Sequence, residues 1–291
     1  MIPPVFDYAV PKTLDEAVAW LSKNPEAKVL AGGHSLIPLM KFRLASPALL
    51  LDINRLDGLA YIHEEGGWLK IGAMTREAEI EHSDLIHKHY PLLADTAKVI
   101  ADPVVRNMAT VGGNLAHADP ANDHPATMLA YRAQVVATGP NGERRIPIDQ
   151  FFTGPFTTAL ANDEILTEIR IPAPKPKSGG AYFKVERKVG DFATAAVAVQ
   201  VTLDAGGNCE TVGIGLTNVG LTPIQATSAE AALTGKKPDD ANIRAAAQLA
   251  AEAAQPSSDQ RGSEEYKRSL VKTLTVRALR KAIERAQGGQ P

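Results

Sequence analysis

One cysteine, Cys209, serves the whole 291-residue chain. A lone thiol closes no intrachain disulfide and cannot ligate an iron–sulfur cluster or a cysteine-based zinc site. No His or other base stands near it, so it reads as a partly buried structural thiol and not as a nucleophile. Charge of one sign is also missing. The 31 basic and 33 acidic residues leave a net charge of −2, which offers no global field for nucleic acid or a membrane surface. No apolar run is long enough to cross a bilayer. The opening MIPPVFDYAVPKTLDEA has no charged leader followed by an apolar stretch, so no secretory signal is expected. The familiar site motifs are absent too: no G-x-G-x-x-G between a strand and a helix, no G-x-x-x-x-G-K-S/T, no G-x-S-x-G and no H-E-x-x-H. His82, His87 and His89 lie close together in a polar helix and its exit, and read as solvated surface rather than a metal site.

What is present is ordinary for a soluble chain with a sizeable core: 44% hydrophobic and 22% charged residues. The length suits two compact domains and permits one large one. Thr13 opens a helix, with Glu16 at capping-box spacing and Leu14, Val18 and Leu21 on one face, and Pro25 ends it. Residues 28–31, 49–53 and 68–73 read as strands, a polar helix follows from Thr75, and 91–100 is helical. From Asp102 the chain turns irregular and small-residue-rich, DPVVRNMATVGGNLAHADPANDHPA, before a helix from Ala126 to about Tyr131. A hairpin-like segment, 133–137 and 145–148, surrounds Gly139-Pro140-Asn141-Gly142. After a strand at 166–171, the Pro- and Gly-rich run 172–180 is the domain boundary the pattern favours. Strands at 181–188, 194–203 and 211–218 and helices at 227–233, 239–253 and 263–286 complete an α+β chain.

Two glycine turns carry the candidate chemistry. The first is Ala31-Gly32-Gly33-His34-Ser35 after a strand. Glycine pairs let successive backbone N–H groups converge, because no Cβ blocks a ligand and positive φ costs little. Convergent N–H groups make a nest for phosphate oxygens. The Ser35 hydroxyl adds a donor, and a helix starting near Leu36 adds its positive end. A plain tight turn accounts for the same residues. The second is Thr110-Val111-Gly112-Gly113-Asn114, with the same local grammar and the same alternative of a glycine turn between strands. A dinucleotide diphosphate needs donors from more than one segment, and two such turns supply them. Asp123 lies nine residues after Asn114. Its carboxylate suits ribityl or ribose hydroxyls, or the N-cap of the helix entering at Pro125.

At these residues the chain resembles a known family. AGGHSLIPLM at 31–40 and RNMATVGGN at 106–114, with Asp123 at the matching distance, look like the FAD-binding medium subunit of carbon monoxide dehydrogenase and its relatives in the xanthine dehydrogenase superfamily. The likeness continues through EILTEIRIP at 164–172, YFKVERKVGDFATAAVAV at 182–199 and SSDQRGSEEYKRSLVKTLTVRAL at 257–279, in order along nearly the whole chain. It implies a vanillyl-alcohol-oxidase-type FAD-binding domain over 1–175, with subdomains of about 1–57 and 58–175, then a small C-terminal domain of sheet and helices over 176–291. By that likeness Ala31 to Ser35 and Thr110 to Asn114 hold the diphosphate of a noncovalent FAD, and Asp123 meets the ribityl or ribose region. Leu166 packs near the isoalloxazine, where the alternative is plain strand core. Lys184 approaches the flavin, where the alternative is a surface lysine on an edge strand. Phe192 covers a ring face, where the alternative is core. Ile100 stands where xanthine dehydrogenases have an aromatic residue, which puts a stacking role there in doubt. Relatives with an extra iron–sulfur cluster in this subunit need cysteines that this chain lacks.

The resemblance also implies partners: a large subunit with molybdenum cofactor and a small subunit with 2Fe-2S clusters, assembled as a dimer of heterotrimers. The single cysteine suits a reducing, cytoplasmic location, with the assembly either free or at the inner face of the cytoplasmic membrane. A flavin exchanges electrons singly or in pairs, so it links one-electron clusters to two-electron acceptors. No nucleophile–base pair for substrate chemistry stands out, which fits a subunit whose substrate is an electron. A self-sufficient FAD-dependent oxidoreductase and a non-enzymatic nucleotide-binding scaffold are the competing readings. The His34 variant of the first turn and the short chain lean toward the carbon monoxide dehydrogenase branch.

Overall fold

The computed structural model describes residues 2–289. The first layer is a small parallel sheet. Strands β1 (Asp7–Ala9), β2 (Ala27–Leu30) and β3 (Leu49–Asp52) run in the order β1-β3-β2. Helix α1 (Leu14–Lys23) connects β1 to β2 and buries Ala17, Val18 and Leu21. Thr13 caps it, its hydroxyl accepting from the Glu16 N–H at 3.1 Å. The Glu16 carboxylate returns the contact to the Lys12 N–H at 2.7 Å, one residue earlier than a regular capping box. Helix α2 (Leu36–Lys41) links β2 to β3.

The second layer is an antiparallel five-stranded sheet. It contains β4 (Ile62–Glu65), β5 (Trp68–Gly72), β6 (Gln134–Gly139), β7 (Gly142–Pro147) and β10 (Ile165–Pro172), in the order β4-β5-β10-β6-β7. A two-stranded ribbon, β8 (Phe152–Gly154) and β9 (Thr157–Thr158), lies between β7 and β10 in sequence. Six helices separate β5 from β6: α3 (Glu77–Glu81), α4 (Asp84–His89), α5 (Pro91–Lys98), α6 (Pro103–Arg106), α7 (Val111–His117) and α8 (His124–Tyr131). Leu69, Ile71, Val135, Ala137, Ile169 and Ile171 from this sheet share one core with Leu92, Leu93, Met128 and Leu129 from α5 and α8.

The third layer is antiparallel β11 (Ser178–Val185), β12 (Ala195–Leu203), β13 (Cys209–Thr217) and β14 (Ile224–Gln225), with β11 at one edge. Helices α9 (Thr227–Leu233), α10 (Asp240–Ala253) and α11 (Glu264–Ala286) follow. Val197, Val199 and Ile214 share a core with Leu274, Ala278 and Leu279 of α11. Tyr182, Ala196 and Ala198 join the core of the five-stranded sheet instead. Strand residues alternate between faces, so this sheet is packed on both sides. At the end of α11, Arg285 forks onto Asp95 at 2.6 and 3.1 Å and bonds the Gly180 carbonyl at 2.6 Å, tying α11 to α5 and β11.

The structure departs from the sequence reading in three places, the first being β11, which spans Ser178–Val185 rather than 181–188 and so begins inside the expected 172–180 boundary run. The stretch from Asp102 to Ala126 is not irregular but carries α6 and α7 and the first residues of α8. The helices α6 and α7 are short and contain a glycine pair or open on proline, so propensity does not announce them. They are held by caps, the Asp102 carboxylate accepting from the Val105 N–H at 2.9 Å and the Thr110 hydroxyl from the Gly113 N–H at 3.1 Å. Strands β1, β4, β8, β9 and β14 were not expected: four are two or three residues long, and β4 has a largely exposed, acidic pattern.

Candidate functional site: a nest, a helix start and a buried ion pair

Strand β2 delivers the first glycine turn. Its last carbonyl, Leu30, accepts from the Ile53 N–H at 3.1 Å, and the next carbonyl, Ala31, accepts from the Asn54 side chain at 2.8 Å. The chain then reverses through Gly33 at φ +77°. Among the described residues, no acceptor meets the backbone N–H groups of Gly32, Gly33, His34 and Ser35. Consecutive unsatisfied N–H groups beside a positive φ form an anion-binding nest. Ser35 sits at the N-cap of α2 without using its hydroxyl as a cap. His34 is exposed, while the other four residues of the turn are half-buried.

The second turn works differently from the first, and the expectation of a second amide nest is corrected. It is the start of α7, and its amides are satisfied internally. Val111 N–H donates to Thr75 at 3.1 Å, Gly112 N–H to Ala73 at 2.9 Å, Gly113 N–H to the Thr110 hydroxyl at 3.1 Å, and Asn114 N–H to the Thr110 carbonyl at 2.9 Å. Gly112 is glycine because α7 lies flush on the chain leaving β5: a Cβ there would stand 2.5 Å from the Ala73 Cβ. What this segment presents is side-chain chemistry. The Thr110 hydroxyl accepts from Gly113 and keeps its own proton to donate, and the buried Asn114 Oδ1 has no hydrogen-bond partner among the described residues.

The two turns nevertheless meet. A Cβ on Gly32 would overlap the Met108 carbonyl oxygen and stand 2.8 Å from the Ala109 Cα. The Cβ position of Gly113 is 3.8 Å from the Ala31 Cβ. The nest, the Thr110 hydroxyl and the Asn114 amide therefore share one seam between the first and second layers. Free N–H donors, an orphaned amide oxygen and backbone left open by glycine fit a dinucleotide diphosphate and the hydroxyls beside it.

A buried ion pair lies where the second and third layers join. The Asp123 carboxylate accepts from the Tyr182 hydroxyl at 2.6 Å and from Lys184 Nζ at 3.0 Å. Lys184 Nζ also donates to the Val99 carbonyl at 3.0 Å and pairs with Glu186 at 3.2 Å, and its side chain is 3% exposed. The surface-lysine alternative is thereby overturned, although Lys184 does sit on an edge strand. Asp123 does occupy the N-cap position of α8, as the alternative had it, but its side chain makes no capping hydrogen bond and is engaged by Tyr182 and Lys184 instead. Burial pushes the Asp123 carboxyl above the ordinary carboxylate range, against the pull of Lys184 and the Tyr182 hydroxyl. Burial, and then the Asp123 charge, pushes the Tyr182 phenol well up.

The remaining anticipated residues are dispersed around this axis. Leu166 is 5% exposed on β10, at the bulge before Glu168, and shares the core of the five-stranded sheet. Phe192 is 46% exposed in the loop between β11 and β12, so it is not core. Ile100 is buried, and its carbonyl accepts from Arg106 at 2.8 Å. Cys209 is fully buried on β13, more so than expected, and burial pushes its thiol up to about 11. His82 is exposed, whereas His87 is half-buried with Nε2 2.6 Å from the Glu81 carbonyl oxygen.

Sequence reasoning missed several residues. Tyr182 holds Asp123, and Asn54 and Arg76 tie the two turns together. His124 and Glu77, both 0% exposed, are joined at 2.7 Å and link the starts of α8 and α3. Tyr182 and Lys184 are two apart on β11, so they share a face, and that was a usable signal. Asn54, Arg76 and Glu77 carried none, because their partners are 22 to 47 residues away.

Comparison with known proteins agrees with this layout. Residues 4–174 match the FAD binding domain in molybdopterin dehydrogenase, and residues 180–282 match the CO dehydrogenase flavoprotein C-terminal domain. The chain is 45% identical over 286 residues to the carbon monoxide dehydrogenase medium chain of Hydrogenophaga pseudoflava, spanning 98% of this chain and 99% of that one. A solved carbon monoxide dehydrogenase structure from the same organism superposes with a TM-score of 0.95 at 47% identity, over 98% of this chain and 99% of that one. Quinoline 2-oxidoreductase from Pseudomonas putida 86 superposes with a TM-score of 0.91 at 33% identity, covering 100% of both chains. Fold and site together define an FAD-binding subunit of an oxidoreductase. The chain belongs to the carbon monoxide dehydrogenase medium-subunit family of molybdenum hydroxylase flavoproteins. An FAD-binding domain followed by a sheet-and-helix C-terminal domain is thus the observed α+β architecture.

Proposed function

We propose that this chain is the electron-transfer flavoprotein of a heterotrimer. It receives electrons from 2Fe-2S clusters of a small partner, fed by a large molybdenum-cofactor partner, and passes them to an external acceptor. FAD, when bound, supplies the exchange between one-electron and two-electron steps. Ala31 to Ser35 hold the diphosphate through backbone N–H groups. Thr110 and Asn114 add a hydroxyl and an amide side chain, while Val111, Gly112 and Gly113 bring that helix start close. Asp123 and Lys184 orient the flavin end, Leu166 and Phe192 pack against the ring, and Lys184 stabilises negative charge at the pyrimidine edge. In this reading 1–175 binds FAD, as subdomains of about 1–57 and 58–175, and 176–291 closes over the flavin. The assembly is a dimer of heterotrimers, cytoplasmic and either free or at the inner face of the cytoplasmic membrane.

The observation that carries the reading is the seam itself, where unsatisfied N–H groups of Gly32 to Ser35 lie against the segment leading into α7. Co-expression with candidate molybdenum-cofactor and 2Fe-2S subunits from the same genome tests it. The expected product is a yellow three-subunit complex with molybdenum, iron and one FAD per copy of this chain. A colourless chain that takes up no FAD in any subunit combination argues for a scaffold. Oxidation of a small organic substrate by the isolated chain argues for a self-sufficient enzyme.

A further inference from the structure

Arg76 and Asn54 bridge the two sides of the seam. Asn54 follows β3 and donates from its amide to the Ala31 carbonyl at 2.8 Å and to Asp52 at 2.7 Å. Arg76 stands just before α3 and donates Nη2–H to Asn54 Oδ1 at 2.8 Å. Its Nη1–H donates to the Met108 carbonyl, the same oxygen that a Cβ on Gly32 would strike. The Arg76 N–H is held by Glu79 at 2.7 Å, which fixes the base of the side chain. The carbonyl before the nest and the carbonyl before the α7 segment are thus joined through one guanidinium and one amide. A guanidinium has five N–H donors, and these contacts use two of them.

We propose that Arg76, acting through Asn54, is the positioning residue for the FAD diphosphate. It sets the separation of the nest from Thr110 and Asn114, and its charge stands beside the seam that receives two phosphates. The inference rests on the FAD reading of the site. Without the brace, the Ala31 turn is free to drift from Met108 and the nest loses its register. Asn54 is the relay, because its amide accepts from Arg76 and donates to Ala31 at once.

The test uses the assembled complex, depleted of flavin and reloaded, with Arg76→Gln, Arg76→Lys and Asn54→Ala. FAD affinity, the 31P resonances of bound FAD at saturation and the Tm of the flavin-free protein are measured. Arg76→Gln is expected to weaken FAD binding by at least about tenfold and to shift the 31P resonances, with flavin-free Tm nearly unchanged. Arg76→Lys restores part of the affinity, because it keeps the charge but not the fork. Asn54→Ala weakens binding in the same direction. Wild-type affinity and 31P shifts in Arg76→Gln overturn the proposal. A fall in Tm that accounts for the lost affinity, without rescue by Arg76→Lys, overturns it too, since Arg76 would then only hold the fold. A wild-type complex that takes up no FAD removes the FAD reading instead, and is a distinct result.

Discussion

Lys184 Nζ lies 3.0 Å from the Asp123 carboxylate, both side chains are under a tenth exposed, and the two residues belong to different layers of the molecule. The pair therefore joins the start of α8 to an edge strand of the third layer, at the place where the flavin end of FAD is proposed to lie. Removing Lys184 leaves the buried Asp123 carboxylate with the Tyr182 hydroxyl as its remaining hydrogen-bond donor.

Lys184→Met should lower the flavin reduction potential by roughly 30–60 mV, equivalent to ~1.4–2.8 kcal/mol for two electrons. FAD should stay bound, because the proposed diphosphate donors lie elsewhere in the chain. Spectroelectrochemical titration of the complex measures it, and an unchanged potential would remove Lys184 from the electron-transfer role.

Gly32→Ala places a methyl group on the Met108 carbonyl oxygen, which is backbone and cannot swing aside. Overpacking of this kind costs about 1–3 kcal/mol. The shift separates the two turns, so the flavin-to-protein ratio should fall together with the denaturation midpoint. Full flavin occupancy in this variant would show that the close contact is dispensable.

Acid should loosen the same corner. Burial pushes the Asp52 carboxyl up, but hydrogen bonds from Tyr8 and from the Asn54 backbone and side chain outweigh it and leave the group below its ordinary range. A folded pKa below the unfolded one gives stability that is complete above the unfolded value, about 3.9, and is lost as pH falls through the folded value. Flavin release and Tm should both respond in that window, and Asp52→Asn should flatten the response. An identical acid profile in the variant would clear Asp52 of the effect.

Cys209 should resist thiol reagents in the native protein at pH 8. Its sulfur is buried and its thiol is pushed up to about 11, so little thiolate forms. Stoichiometric reaction is expected only after denaturation. Rapid labelling of the folded chain would place Cys209 in a region that opens readily.

Local patterns made most long elements legible. The expected helices at 227–233, 239–253 and 263–286 and the strand at 194–203 fall within a residue or so of α9, α10, α11 and β12, because caps and apolar periodicity are local features. The segment from Asp102 to Ala126 was not legible, since α6 and α7 span only 4 and 7 residues, too short to show an apolar period, although each carries a local cap. The same holds at the candidate site. Both glycine turns were visible as strings, but one is a nest with free N–H groups and the other is a helix start whose amides are satisfied.

By itself the sequence determined the order of the longer elements, the presence of two glycine turns and the lack of thiols for a cluster, all of which can be read along the chain. Only the tertiary structure decided that the turns meet at Met108, that Lys184 is buried against Asp123 and that Arg76 spans the seam. The physical reason is range. Hydrogen bonds and buried charges act over a few ångströms in space, and the residues they join here are 22 to 61 positions apart in the chain.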